Sequence, residues 1–145
     1  GSLWQFDDER RTIVTDSLRY IRHVDVRLEQ FDLFDLDAFG SPMEHLVAIC
    51  TRVQVTPGRK VGFVLTDGTL FNAKMNSTPH GLLDYVGVAR HARSRFQMHH
   101  RDDIAAMAVT KALATARLRT IEARRAEAGE VGAGMRYAAI LAEAS

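Results

Sequence analysis

Arg90, Arg93, Arg95 and Arg101 fall within twelve residues of this chain, with His91, His99 and His100 among them and no acid before Asp102. Guanidinium groups at that density suit phosphate or carboxylate oxygens, because each presents a planar fork of donors and keeps its charge. The segment therefore predicts contact with an anionic partner through Arg90, Arg95 and Arg101, with His99 and His100 as secondary contacts. A helix through this region would turn Arg90 and Arg95 to flanks about 140° apart. The arginines then fan out and make no single line along a nucleic-acid backbone. Cations near a helix end also answer the helix dipole, which is the plain structural reading of the same residues.

Metal or acid–base chemistry asks for more than this segment offers. His99 and His100 are adjacent and His91 lies eight residues earlier, whereas a helical metal pair needs i and i+4 spacing. Neither a metal nor a cofactor is implied. Proton transfer by His99 or His100 with Asp102 or Asp103 has no accompanying nucleophile motif. Asp32, Asp35 and Asp37 cluster in FDLFDLDAFG, without the inner glycine and distal glutamate of a calcium loop. They predict an exposed acidic surface. Cys50 is the single cysteine, so one chain makes neither a disulfide nor a thiolate zinc site. Its setting, HLVAICTRV, predicts a core thiol. No phosphate-binding glycine loop, nucleophile elbow or zinc knuckle is present.

The whole chain sets the bounds. Its 145 residues fit one domain, residues 1–145, and 46% hydrophobic with 26% charged residues match an ordinary globular protein. No apolar run approaches the roughly 20 residues that cross a bilayer. A cytoplasmic protein is the expectation. Gly1-Ser2 reads as a cloning remnant, which leaves a targeting segment beyond it open. Net charge is +1 overall, but residues 1–45 carry −5 and residues 46–145 carry +6. Such a split serves a partner surface, or draws two halves of one domain together.

The elements expected to position these groups are strands, then helices. FDDERRTIVTDSLRYI opens with acids in a first helical turn. Val24, Val26 and Leu28 alternate with charged residues, as in a half-buried strand. HLVAICTRVQVT reads as a second strand, Pro57-Gly58 as the centre of a type II turn, and Asp67-Gly68 as a hairpin turn. From Thr78-Pro79 the pattern becomes helical, with Leu82, Tyr85, Val86, Ala89, Ala92 and Phe96 on one stripe.

Together these predict an α+β fold: an antiparallel β-meander over about 23–75, packed against helices over about 79–96, 102–128 and 133–143. The 102–128 helix would be apolar on two sides, which predicts a homodimer through it. The function expected is a non-catalytic interaction module, of the size and composition of small bacterial or phage accessory proteins, binding a protein through charged surfaces. Two alternatives stand beside it: a nucleic-acid-binding protein using 90–101, and a small enzyme or ligand-binding protein with a pocket between sheet and helices.

Overall fold

The computed structural model describes residues 15–23, 26–37, 41–68, 80–89, 101–128 and 135–145, with residues 80, 101 and 102 described by backbone alone. The protein is α+β. In chain order it runs α1 (Ser17–His23), a 3-10 turn (Leu28–Gln30), β1 (Leu33–Leu36), α2 (Met43–Arg52), β2 (Lys60–Asp67), α3 (His80–Val86), α4 (Arg101–Thr115), β3 (Leu118–Ala128) and β4 (Met135–Ala144).

The four described strands form one sheet in the order β1-β2-β4-β3. β1 and β2 are parallel, and the other two pairs are antiparallel. The expected 23–75 meander is thus replaced by a β1–α2–β2 crossover, and the sheet is completed by strands from the far end of the chain. A parallel pair needs such a crossover, because a tight turn cannot reverse the chain twice. The strand expected to follow Asp67-Gly68 falls on residues 69–75, outside those described. Both edges of β2 are already taken, by β1 and β4.

Residues 43–52 are helix where a strand was expected. Met43, Leu46, Ile49, Cys50 and Val53 recur at helical spacing and all are buried, so the period of the apolar residues outweighs their β-branched content. Ser41 Oγ accepts the Met43 N–H at 3.3 Å, and Glu44 and Arg52 sit at the ends the dipole favours. The turn at Pro57-Gly58 is as expected. Gly58 has φ +83°, and the Arg59 N–H donates to the Thr56 carbonyl at 3.0 Å, the pattern of a type II turn.

α3 stops at Val86, well short of residue 96. Gly87 at φ +82° ends it, with the Gly87 N–H on the Asp84 carbonyl and the Val88 N–H on the Leu83 carbonyl, 3.1 and 2.9 Å. That is a Schellman cap. At the front of the chain, Asp16 Oδ1 caps α1 by accepting the Arg19 N–H at 2.7 Å.

The largest correction concerns 102–128 and 133–143. The first is helix only to Thr115, after which Arg117 at φ +55° turns the chain into β3. The second is β4. Wrapping a helix and a strand on one wheel is what produced two apolar sides, so the reason given for a dimer through that helix is removed.

One side of the sheet carries the core. Phe34 and Leu36, Val61, Phe63 and Leu65, and Ile140, Ala142 and Ala144 turn toward α2 and α4. Phe34 and Phe63 stack with ring centres 5.5 Å apart. Each large side chain buried here stabilises the fold by roughly 1.5–3 kcal/mol. Small residues on α4, Ala108 and Ala112, let it approach closely. Lys111 joins α3 to α4, donating to the Tyr85 carbonyl at 2.6 Å and lying over the Tyr85 ring.

Candidate interaction surface

Cross-strand partners point to the same face of a sheet, so the strand registers give the composition of the side away from the helices. One row runs Leu33, Gly62, Leu141, Glu122, and the next runs Asp35, Val64, Ala139, Arg124. A third joins Thr66, Tyr137 and Ala126. Leu33 is 60% exposed, Tyr137 and Leu141 are exposed too, and Thr66 is buried. Leu33 lies over Gly62, where an added Cβ would stand 2.9 Å from Leu33 Cδ1. The glycine therefore lets a leucine fold down on the sheet. The result is an apolar centre with Asp35, Glu122 and Arg124 at its margins.

β3 borders this face as an edge strand of eleven residues, with only Leu118 buried and the other ten exposed. Among the described residues, none beyond Leu118 is buried on either face of β3, although its helix side lines the cavity beside α4. A bulge at Ile121, which has no partner on β4, interrupts the ladder. Such an edge leaves a row of N–H and C=O groups unpaired within the sheet, a template for another strand. Arg119, Glu122, Arg124, Arg125 and Glu127 give it alternating charge. Arg124 Nε meets Glu122 Oε1 at 2.8 Å along the strand.

The expected site residues divide. Arg90, Arg95, His99 and His100 lie outside the described residues, as does the side chain of Arg101, whose backbone opens α4. Asp32, Asp35 and Asp37 are all exposed, but they do not act as a group. Asp32 is held by Arg59, Nη2 to Oδ1 at 2.7 Å. Asp35 joins the open face, and Asp37 follows β1. Arg59 also donates to the carbonyls of Glu29 and Phe31, so it clamps the 3-10 turn to the start of β2.

Two described groups bear on catalysis, Cys50 and the Ser17–His45 pair. Cys50 is buried, and burial pushes its thiol up to about 12, far from a reactive thiolate. Ser17 Oγ and His45 Nε2 are 2.7 Å apart, the distance of a nucleophile and its base. His45 Nδ1, however, is buried with no hydrogen-bond partner. Orphaned buried N–H groups are the rarer and costlier kind, which favours the tautomer with the proton on Nε2. The imidazole then donates to Ser17 and takes no proton from it.

A cavity of about 160 Å³ lies between the β3–β4 hairpin and α4, lined by Met43, Leu65, Ala105, Val109 and Ile140 among others. Ligand pockets usually run to roughly 300–1,000 Å³. At its rim the Arg136 and Glu127 side chains pair at 2.8 Å, and neither Asp67 nor Arg136 is without a partner. Among the described residues no three His, Cys, Asp or Glu gather as a metal set, and no helix is long and apolar enough to cross a membrane.

Sequence reasoning missed β3 and β4. The signal was the buried alternation Ile140, Ala142, Ala144 against exposed Tyr137, Ala139, Leu141. The glycines at 129, 132 and 134 between two long runs are a second one. Comparison with family models, with curated proteins and with solved structures gave no match.

Proposed function

We propose that this chain is a non-catalytic interaction module whose docking surface is the open edge of β3 with the apolar face beside it, and whose partner is a protein offering an extended strand. The observation that carries this reading is the eleven-residue strand at the edge of the described sheet, ten of whose residues are exposed. Strand addition to such an edge draws affinity from main-chain hydrogen bonds and specificity from side chains at alternate positions. Leu33, Tyr137 and Leu141 supply apolar contacts nearby, and the charges of β3 select the partner's sequence. The small cavity, the inert thiol and the histidine that holds its own proton all weigh against a catalytic role.

Ile121→Pro tests the reading. Proline tolerates a bulge, and Ile121 makes no ladder pair with β4. The substitution therefore spares the paired residues of the ladder while removing a backbone donor and fixing the backbone in the middle of the edge strand. Expected is loss of a protein partner retained by the wild type, with the thermal midpoint nearly unchanged. A folded Ile121→Pro variant, or a folded Leu33→Asp/Leu141→Asp variant, that keeps full partner affinity would show that neither edge nor face is the docking surface.

A further inference from the structure

The charge order along β3 narrows the choice of partner. Two copies of one strand pairing antiparallel about a two-fold axis perpendicular to the sheet keep their faces in common. The axis must therefore pass through a residue position, and each position gives a different set of facing charges. An axis at Glu122 sets glutamate against glutamate. Axes at Arg124 and Arg125 set arginine against arginine. An axis at Ala126 pairs Arg124–Ala128 and sets Arg125 against Glu127, but on the side that lines the cavity beside α4, where Glu127 is already held by Arg136.

An axis at Ala123 is different. It places Glu122 opposite Arg124 of the second copy, and Arg124 opposite its Glu122, all on the open face. The small Ala123 methyl groups meet at the centre, Arg125 meets Ile121, and the seam runs in phase from Ile121 to Arg125, as far as the bulge of each copy. Edge strands often carry charge to prevent pairing. Here the same charges oppose the neighbouring registers and favour this one. The Glu122–Arg124 contact within each strand, 2.8 Å, already sets both groups side by side on the face where the second pair would arrive.

We infer that the docking edge of β3 takes a second copy of this chain, antiparallel and centred on Ala123, to form a continuous eight-stranded sheet with a square of four alternating charges over its seam. The inference rests on the docking reading above and names its occupant. A single ladder buries less than the roughly 1,200–2,000 Å² of a standard interface, so the dimer dissociates at about micromolar concentrations.

Sedimentation equilibrium from about 1 to about 500 μM should show the 16.2 kDa chain passing to twice that mass. Glu122→Arg and Arg124→Glu each turn two attractive pairs into repulsive ones and should weaken dimerisation roughly ten-fold. The double variant Glu122→Arg/Arg124→Glu exchanges the charges and should restore it. Ala123→Cys gives an independent reading. Thiols placed on the axis lie within disulfide reach and should cross-link rapidly with diamide, while buried Cys50 does not react. Thiols introduced by Ala128→Cys would sit about 33 Å apart in this register and should not cross-link.

A wild type that stays monomeric throughout that range overturns the inference. So does a dimer indifferent to the charge reversals, or one that Ala128→Cys links as fast as Ala123→Cys. The two proposals remain distinguishable. A monomer that loses a different protein partner on Ile121→Pro keeps the docking edge and loses only the self-pairing. Variants of β3 that change neither property remove both.

Discussion

Arg59 is the most economical place to test how the fold holds its parallel strand pair. Its guanidinium reaches Asp32 through Nε and Nη2 at 3.2 and 2.7 Å, the Phe31 carbonyl at 3.2 Å, and the Glu29 carbonyl. The Asp32 side chain is 80% exposed and that of Arg59 30%, so solvent screens the ion pair to about 0.5 kcal/mol. Each bond from the guanidinium to a carbonyl contributes roughly 1 kcal/mol net. Arg59→Ala should then cost about 2.5 kcal/mol, and Asp32→Asn only about 0.5 kcal/mol. Arg59→Lys should lie near the alanine variant, because one ammonium group cannot span three acceptors spread over Glu29–Asp32. With a urea slope of about 1.5–2 kcal/mol/M, Arg59→Ala moves the unfolding midpoint down by more than ~1 M. Hydrogen exchange should quicken first along β1. If Asp32→Asn costs as much as Arg59→Ala, the carbonyl contacts contribute nothing and the reasoning fails.

Three further outcomes follow from single residues. Cys50 should resist Ellman's reagent in the native protein through pH 8 and react on unfolding, and Cys50→Ser should cost about 1–3 kcal/mol by burying a hydroxyl without a prepared partner; rapid native labelling would show that the thiol is not in the core. Burial, aided by Arg22 and opposed by Glu44 and Asp16, holds the His45 imidazole below its usual 6.5. The unfolded chain therefore takes up the proton first, so stability is full above about pH 6.5 and declines as pH falls below it, and urea midpoints should show a smaller decline in His45→Gln. Gly58→Ala should cost about 1 kcal/mol, since its φ of +83° disfavours a side chain although no atom lies within 4 Å of the new Cβ; a neutral result in calorimetry would argue against the turn geometry.

How far the sequence revealed this fold depends on the range of each signal. The Pro57-Gly58 turn, the buried Cys50 and the start of α3 are local matters, set by residues within a few positions, and they were legible. The helix at Met43–Arg52 was also legible in the 43, 46, 50, 53 spacing, but Val47, Ile49 and Thr51 have strand preference and drew the reading the other way. β3 was hidden for the opposite reason. Arg, Glu and Ala dominate RLRTIEARRAEA and favour helix, whereas the strand state is imposed by β4 along nearly its whole length, a contact no local propensity reports. The parallel pairing of β1 with β2 is likewise a long-range outcome. Of the candidate site, Asp35 was named from sequence, but the edge itself became visible only with the strand order.

The strand order also bears on how the chain reaches this state. The central seam joins Lys60 to Glu143 and Asp67 to Arg136, so the middle of the sheet cannot close until partners some 70 to 80 positions apart have met. β3 and β4 are separated by only six residues. Loop closure over that greater span is slow relative to hairpin formation. The expected kinetic sequence is a hairpin that forms early and then waits for β2, with both of its edges open to wrong partners in the interval. Of those edges, the inner one on β4 is the vulnerable one, carrying no charge from Tyr137 to Ala142. Refolding should therefore lose yield with rising protein concentration well before the native protein shows any tendency to aggregate.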